Sequence, residues 1–255
     1  MIFVASGTQD GRGLVKCLLD ENYKIMASVV TDYGKNLLPQ HENLIINDHK
    51  LDEKAMQKCL EENNIKVFVD ATHPYAVNVS QTAMQVCQKL AVPYIRYERE
   101  VTPLPEYEKL HLVKTYEEAA GLSVQLGKNI FLTTGSNRLE LFAQTAKEAG
   151  CHVTARVLPA VASLEICTKS GILPRDIVAL QGPFSEELNM ALYEKYKADV
   201  VVMKNSGTLG GTETKLTAAI KMNLPIVLID RPRLKYINMV HDYKSIIDFV
   251  KQYEK

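Results

Sequence analysis

Residues 66–97 read KVFVDATHPYAVNVSQTAMQVCQKLAVPYIRY, and this stretch decides the fold class. Residues 66–70 form a short β-branched and aromatic run that ends in a polar turn, the pattern of a strand. Residues 77–90 read as a helix, and Pro93 separates them from a second strand at 94–97. Strand, helix and strand in direct succession imply parallel pairing, with the helix on a sheet face. The alternation extends in both directions. Towards the N-terminus lie predicted strands at 2–5, 24–29 and 44–46, and a helix at 13–22 with Leu14, Cys17 and Leu18 on one face. A second helix at 52–63 has Asp52 as its N-cap and Ala55, Met56, Cys59 and Leu60 as its apolar stripe. A break follows at 98–110, with Pro103, Pro105 and many charges. Beyond it, strands are predicted at 129–133, 152–156, 176–181, 199–204 and 225–230. Helices are predicted at 137–149, 160–169, 185–196, 212–222 and 245–253, and residues 230–242 are the most irregular segment. The expected organisation is one α/β domain over 1–100, a passage at 101–110, and a second α/β domain over 111–255, built on mainly parallel sheets.

The chain has 255 residues, with 30 Lys and Arg against 30 Asp and Glu, so its formal net charge is zero. At 46% hydrophobic and 24% charged it has an ordinary globular composition, neither disordered nor fibrous. Zero net charge supplies no long-range field for nucleic acid or an anionic membrane, which leaves local basic pockets as the only anion sites. No stretch approaches the roughly 20 apolar residues of a membrane span. The apolar N-terminal residues lack a basic lead-in and read as a first strand, not a signal peptide. Cys17, Cys59, Cys87, Cys151 and Cys167 are scattered, with no C-x-x-C pair, which fits reduced thiols in a cytoplasmic protein. The six His do not cluster with them, so no metal site is expected.

In an open parallel sheet, ligands bind beyond the carboxyl ends of the strands, on the loops leading into helices. The first such loop is Ser6-Gly7-Thr8-Gln9-Asp10-Gly11-Arg12-Gly13, which reads either as a phosphate-approaching turn or as a plain tight turn. After the second strand, Asp32 can meet ribose hydroxyls; alternatively Ser28 and Thr31 meet a 2′-phosphate. Asp70-Ala71-Thr72-His73-Pro74-Tyr75-Ala76 places a titratable imidazole and a phenol within one turn, with Pro74 near a helix start. Thr134-Gly135-Ser136 is a second small-residue loop with hydroxyls. Ser185 is explained by helix capping alone. The run from Lys204 to Lys215, with Gly207, Gly210 and Gly211, lacks G-K-[ST] and is no Walker motif, but its lysines suit an anionic ligand.

Together these strings resemble the precorrin-6A reductases of cobalamin biosynthesis, including the cobalt-precorrin-6A reductases. The resemblance covers nearly the whole chain. It is carried by the Gly7–Gly13 loop, D-A-T-H-P-Y-A at 70–76, Y-I-R-Y-E-R at 94–99, Thr134-Gly135-Ser136, A-R-V-L-P at 155–159, G-P-F-S at 182–185 and K-N-S-G…G-G-T-E-T-K at 204–215. One departure is the first loop, where Ser6 and Asp10 stand at the places of a Gly and a Glu in the family's usual G-G-T-x-E-G.

The resemblance implies two Rossmann-like domains with the active site in the cleft between them, and NADPH-dependent reduction of one macrocycle double bond. Cofactor contacts are expected from Gly7, Thr8, Gly11, Arg12, Ser28, Thr31, Thr134, Gly135, Ser136, Lys204, Ser206, Gly207, Gly211 and Thr212. His73, then Tyr75, are the candidate proton donors. Arg96, Arg99, Arg138, Arg156 and Lys215 are the candidates for the carboxylates of the tetrapyrrole substrate. Partners beyond that substrate are not expected: no nucleic acid, no membrane, and a monomer or weak homo-oligomer. Two rivals stand beside this reading. One is a short-chain-type reductase using Tyr193-x-x-x-Lys197; the other is a nucleotide-binding carrier or sensor without catalysis.

Overall fold

Every residue of β1 (Ile2–Ser6) is buried, as required of a parallel strand covered on both faces. Alternate residues enter opposite layers: Ile2 and Val4 join one apolar cluster, Phe3 and Ala5 the other. The computed structural model describes residues 1–30, 32–99, 103–207 and 211–253. The chain forms two units, Met1–Glu100 with Pro232–Lys255, and Val101–Arg231.

The first unit contains β1, α1 (Gln9–Asp20), β2 (Ile25–Ser28), α2 (Asp32–Asn36), β3 (Leu44–Asn47), α3 (Glu53–Glu62), β4 (Val67–Ala71), α4 (Val77–Leu90) and β5 (Tyr94–Tyr97). Far along the chain, β12 (Met239–Val240) and α10 (Tyr243–Lys251) complete it. Its strands pair in the order β12-β5-β4-β1-β2-β3, all parallel. This is the 3-2-1-4-5-6 order of a dinucleotide-binding sheet, with β12 as the sixth strand. Phe3, Phe68 and Tyr94 are register partners on β1, β4 and β5 and stack at 4.8 and 5.8 Å. α1 and α10 cover the other face through Leu14, Leu18, Ile246 and Val250.

The second unit contains β6 (Leu110–Val113), α5 (Tyr116–Leu126), β7 (Asn129–Leu132), α6 (Leu139–Glu148), β8 (His152–Val157), α7 (Val161–Lys169), β9 (Ile177–Ala179), α8 (Glu186–Lys195), β10 (Val200–Lys204), α9 (Thr212–Lys221) and β11 (Ile226–Ile229). Its six strands pair in the order β6-β11-β10-β7-β8-β9, again all parallel. Phe131, Val201, Met203 and Leu228 meet Tyr193 and Leu216 of α8 and α9 in one core cluster.

The two parallel α/β halves agree with the expected fold class, but their boundaries differ. Residues 232–253 belong with the first unit, because β12 pairs with β5 and α10 buries Ile246 and Val250 against β1 and α1. The expected passage at 101–110 is partly core: Leu104 and Tyr107 pack on the second unit's cluster. β6 and α5 had no counterpart in the sequence reading. Leu112 is 53% exposed on edge strand β6, and α5 buries only small residues, Ala119, Ala120 and Ser123, so neither shows a strong apolar period. α1 begins at Gln9, four residues before the expected start, because Thr8 caps it. Thr31 lies outside the described residues. No helix among the described residues is long and apolar enough to cross a membrane.

Candidate functional site

Each sheet has a point where the chain reverses its direction of strand addition, and loops diverge there to leave a crevice. In the first unit it lies between β1 and β4. Ser6 ends β1, is 1% exposed, and its hydroxyl has no hydrogen-bond partner. Gly7 follows with open space around it. Thr8 is fully engaged: its hydroxyl accepts the Gly11 N–H at 3.0 Å and donates to the Ala71 carbonyl at 3.2 Å. A Cβ on Gly11 would lie 2.9 Å from Ser6 Oγ and 3.1 Å from the Ala71 carbonyl oxygen. Only glycine lets α1 approach β1 and β4 so closely. Thr8 and Gly11 therefore shape the crevice, with the Thr8 hydroxyl committed to the backbone of α1 and β4. Arg12 sits half-buried in the first turn of α1. Arg99 pairs with buried Asp10, so this candidate substrate residue is engaged with α1. Ser28 ends β2 and accepts from Asn47 Nδ2 at 3.1 Å.

Beside this crevice Arg96 is 1% exposed. Its Nη1 donates to Asp70 Oδ1 (2.7 Å) and Thr72 Oγ1 (2.9 Å). Its Nη2 donates to the Thr72 carbonyl (3.0 Å) and Glu98 Oε2 (2.7 Å), and its Nε to the same Glu98 oxygen (2.8 Å). A guanidinium has five N–H donors, and all five are used. Arg96 therefore has none left for a substrate carboxylate, which corrects that expectation: it pins the Thr72 loop. Burial alone raises the Asp70 carboxyl, but Arg96 and the hydroxyls of Ser80, Tyr94 and Thr72 outweigh it and hold Asp70 below the usual carboxylate range. Tyr94 donates to Asp70 Oδ2 at 2.6 Å, and Tyr236, from the returning C-terminal segment, lies under the guanidinium at 5.3 Å.

The pinned loop leads into a turn closed by the Ala76 N–H on the His73 carbonyl at 2.8 Å, with Pro74 in its second position. Pro74 thus serves the turn, and α4 starts only at Val77. His73 and Tyr75 are both half-buried, with ring centroids 5.5 Å apart. His73 Nδ1 accepts the Tyr75 N–H at 3.3 Å, so a neutral ring carries its proton on Nε2.

The second unit's crevice lies between β7 and β10. Thr134 is buried at the end of β7 with an unpartnered hydroxyl, Gly135 takes φ +81°, and Ser136 donates to Ser163 Oγ at 3.4 Å. Arg138 is exposed at the start of α6, over the Tyr116 ring at 5.9 Å. On β8, Arg156 is buried; its Nη1 donates to Asn189 Oδ1 at 2.7 Å and Phe184 covers it at 4.4 Å. Lys204 ends β10, and Lys215 is buried in α9. Thr212 is fully buried and its hydroxyl accepts the Ser206 N–H (3.0 Å) and donates to the Lys204 carbonyl (3.3 Å). Its hydroxyl thereby ties the start of α9 to the end of β10. Gly207 and Gly211 take φ +77° and +65°, the left-handed region that favours glycine, and so form the loop's bends. Phe184 and Asn189 were missed by sequence reasoning. The available signal was a polar Asn189 four residues after the cap Ser185, whose carbonyl it binds at 2.8 Å.

Residues 1–251 match the model of the family described as precorrin-6x reductase CbiJ/CobK. The chain belongs to the precorrin-6x reductase family. Members of this family are oxidoreductases that act on a C=C bond in cobalamin biosynthesis, and this reductase is one of them. It is 34% identical over 248 residues to a cobalt-precorrin-6A reductase of Priestia megaterium, covering 97% of this chain and 96% of that protein. It is 32% identical over 251 residues to the protein of the same name from Methanocaldococcus jannaschii, covering 98% and 97% of the two chains. The solved structure "CobK precorrin-6A reductase" superposes with a TM-score of 0.80 at 22% identity, covering 99% of this chain and 96% of that one, and it shares the fold. The short-chain-type alternative is incompatible with the reductase's geometry: Tyr193 is fully buried, edge-on to Phe131 at 5.1 Å, while Lys197 is exposed.

Proposed function

We propose that this reductase uses NADPH to reduce cobalt-precorrin-6A at one macrocycle double bond. The observation that carries the reading is the first unit's sheet, whose 3-2-1-4-5-6 order opens a crevice at β1 and β4 lined by Ser6, Gly7 and the first turn of α1. These residues fit a dinucleotide. The unpartnered Ser6 hydroxyl and the open backbone at Gly7 suit a pyrophosphate, and the N-terminus of α1 favours its charge. Ser28 stands where NAD-preferring sheets place a carboxylate on the ribose, and a hydroxyl there tolerates a 2′-phosphate. Arg12, half-buried nearby in sequence, offers a cation to the same phosphates.

Bound NADPH supplies the hydride for one carbon of the C=C bond, and a proton must reach the other. His73, through Nε2, is our first candidate to deliver it, with Tyr75 second. Arg96 acts one step behind, by fixing the loop that carries both. Arg99 and Arg138 remain candidates for substrate carboxylates. The cobalt form of the substrate rests on the names of the relatives described above. We read the protein as cytoplasmic, and as a monomer or weak homo-oligomer.

The test is anaerobic NADPH oxidation with precorrin-6A and with cobalt-precorrin-6A, with NADH as the control donor. The expected result is a product two hydrogens heavier, faster with NADPH and with the cobalt form. If neither macrocycle is reduced, the reading fails and the nucleotide-binding carrier returns. His73→Ala with unchanged turnover and pH profile would remove His73 as the proton donor.

A further inference from the structure

The first turn of α1 carries a carboxylate at the crevice where the proposed dinucleotide places its pyrophosphate. Asp10 is the second residue of α1 and is only 5% exposed. A helix N-terminus leaves its first N–H groups without intrahelical partners and favours anions for that reason. Thr8 satisfies one of those groups, the Gly11 N–H, at 3.0 Å. Beside the turn Gly7 is open, and the buried Ser6 hydroxyl lacks a partner among the described residues. The turn is thus shaped for an anion and yet holds an acid of its own. A bare carboxylate close to a phosphate would oppose what the helix end offers.

Arg99 answers that charge. It stands two residues beyond β5, and its Nη2 pairs with Asp10 Oδ2. Both side chains are largely buried, so salt and solvent screen the pair weakly. The acid is also held in place, because the backbone that carries it is clamped from outside α1. The Tyr243 hydroxyl, at the start of α10, donates to the Asp10 carbonyl at 2.8 Å. The same phenol lies against Gly13, where a Cβ would come within 2.7 Å of its oxygen, and the Tyr97 ring packs on it at 5.1 Å. An acid in a first turn steadies the helix dipole, but a paired guanidinium offsets that gain. Capping does not need the acid either, since Thr8 supplies the cap. With Arg99 in place, the start of α1 behaves towards an anion as a helix end with no side-chain charge.

We propose that Arg99 is a positioning residue for the dinucleotide. By neutralising Asp10 it keeps the N-terminus of α1 able to receive the pyrophosphate, and it touches neither cofactor nor macrocycle. This takes Arg99 out of the two candidates named for substrate carboxylates and leaves Arg138. It rests on the proposed placement of NADPH at the β1 and β4 crevice.

The experiment is calorimetric titration of the full chain with NADPH, on the wild type and three variants. Arg99→Gln leaves the buried carboxylate bare and should raise the dissociation constant about 10-fold, the effect of one unit charge several ångströms away in a partly screened site. Asp10→Asn removes the acid and should bind NADPH as tightly as the wild type or more tightly. The double variant, Asp10→Asn with Arg99→Gln, decides between mechanisms and should return to within about 3-fold of the wild type. Far-UV circular dichroism checks folding. Should Arg99→Gln not fold, the double variant still decides, because it buries no bare charge. A double variant about as weak as the 10-fold loss expected of Arg99→Gln means that Arg99 touches the ligand, and it overturns the proposal. An unchanged dissociation constant in folded Arg99→Gln reduces the pair to a structural tie and overturns it as well. A wild type that binds no NADPH overturns the cofactor placement together with this proposal, whereas wild-type binding with an unmoved Arg99→Gln overturns this proposal alone.

Discussion

Replacing Arg96 by Met tests the central claim about the first unit. The side chain it removes is 1% exposed and faces Asp70, which is 0% exposed, and Glu98, at 8%. Its loss strands both carboxylates and empties five hydrogen bonds. Removing one partner of a buried ion pair costs about 3–5 kcal/mol, because the other charge stays buried without compensation. Domains hold only about 5–15 kcal/mol in total, so the variant should lose a large share of its stability at pH 7. The sign with pH follows from Asp70. In the wild type its folded value is depressed, so its contribution is present above the unfolded value near 3.9 and is lost as pH falls through the folded one. In the variant only burial and weaker hydroxyl contacts act, the folded value lies above the unfolded one, and protonation favours the fold. The deficit should therefore shrink between pH 7 and pH 5. Urea unfolding followed by circular dichroism reads this directly; the chain has no Trp to follow by fluorescence. A deficit under about 1 kcal/mol, or one constant over that range, would refute the reasoning. Tyr94→Phe removes a single 2.6 Å hydrogen bond to Asp70 and should cost about 1 kcal/mol.

Gly11→Ala places a Cβ 2.9 Å from Ser6 Oγ and 3.1 Å from a backbone oxygen. It should cost about 1–3 kcal/mol of overpacking and raise the KM for the nicotinamide donor more than it lowers kcat. Thr8→Ala removes the cap of α1 and should lower stability by about 1 kcal/mol in the same urea assay. Lys215 has a folded value near 7, well below that of an unfolded lysine near 10.4, so the unfolded chain binds more protons between the two. Stability should rise with pH over that window, and Lys215→Met should flatten the rise; an unchanged slope contradicts the buried charge. In Asn189→Leu the Arg156 guanidinium loses its 2.7 Å acceptor, and we expect the KM for the macrocycle to rise several-fold with the KM for NADPH unmoved.

Local sequence carried the strands, the helix faces and the strand-to-helix loops, because burial on both faces demands continuous apolar runs and caps follow short-range rules. Ile2–Ser6, Val67–Ala71 and Ile226–Ile229 were legible for that reason. Thr134 and Lys204 were read as cofactor contacts and Arg156 and Lys215 as substrate contacts, since loops at strand ends are where ligands sit in parallel sheets. β6 and α5 were not legible, because an exposed edge strand and a helix buried through alanines carry little periodic signal. The return of β12 and α10 to the first unit was also invisible. A two-residue strand is defined by its partner β5 and by nothing in its own sequence.

The roles of the charged residues divide in the same way. Sequence alone established which residues bear charge and that they cluster at strand ends. It could not tell Arg96 from Arg156, for both lie near the carboxyl ends of strands. Tertiary structure separates them through their neighbours. Arg96 meets Asp70 and Glu98, spends every donor and becomes a positioning residue. Among the described residues Arg156 meets an amide and aromatic rings and no carboxylate. Charge balance inside a protein is set by residues distant in the chain, so only the folded arrangement could decide it.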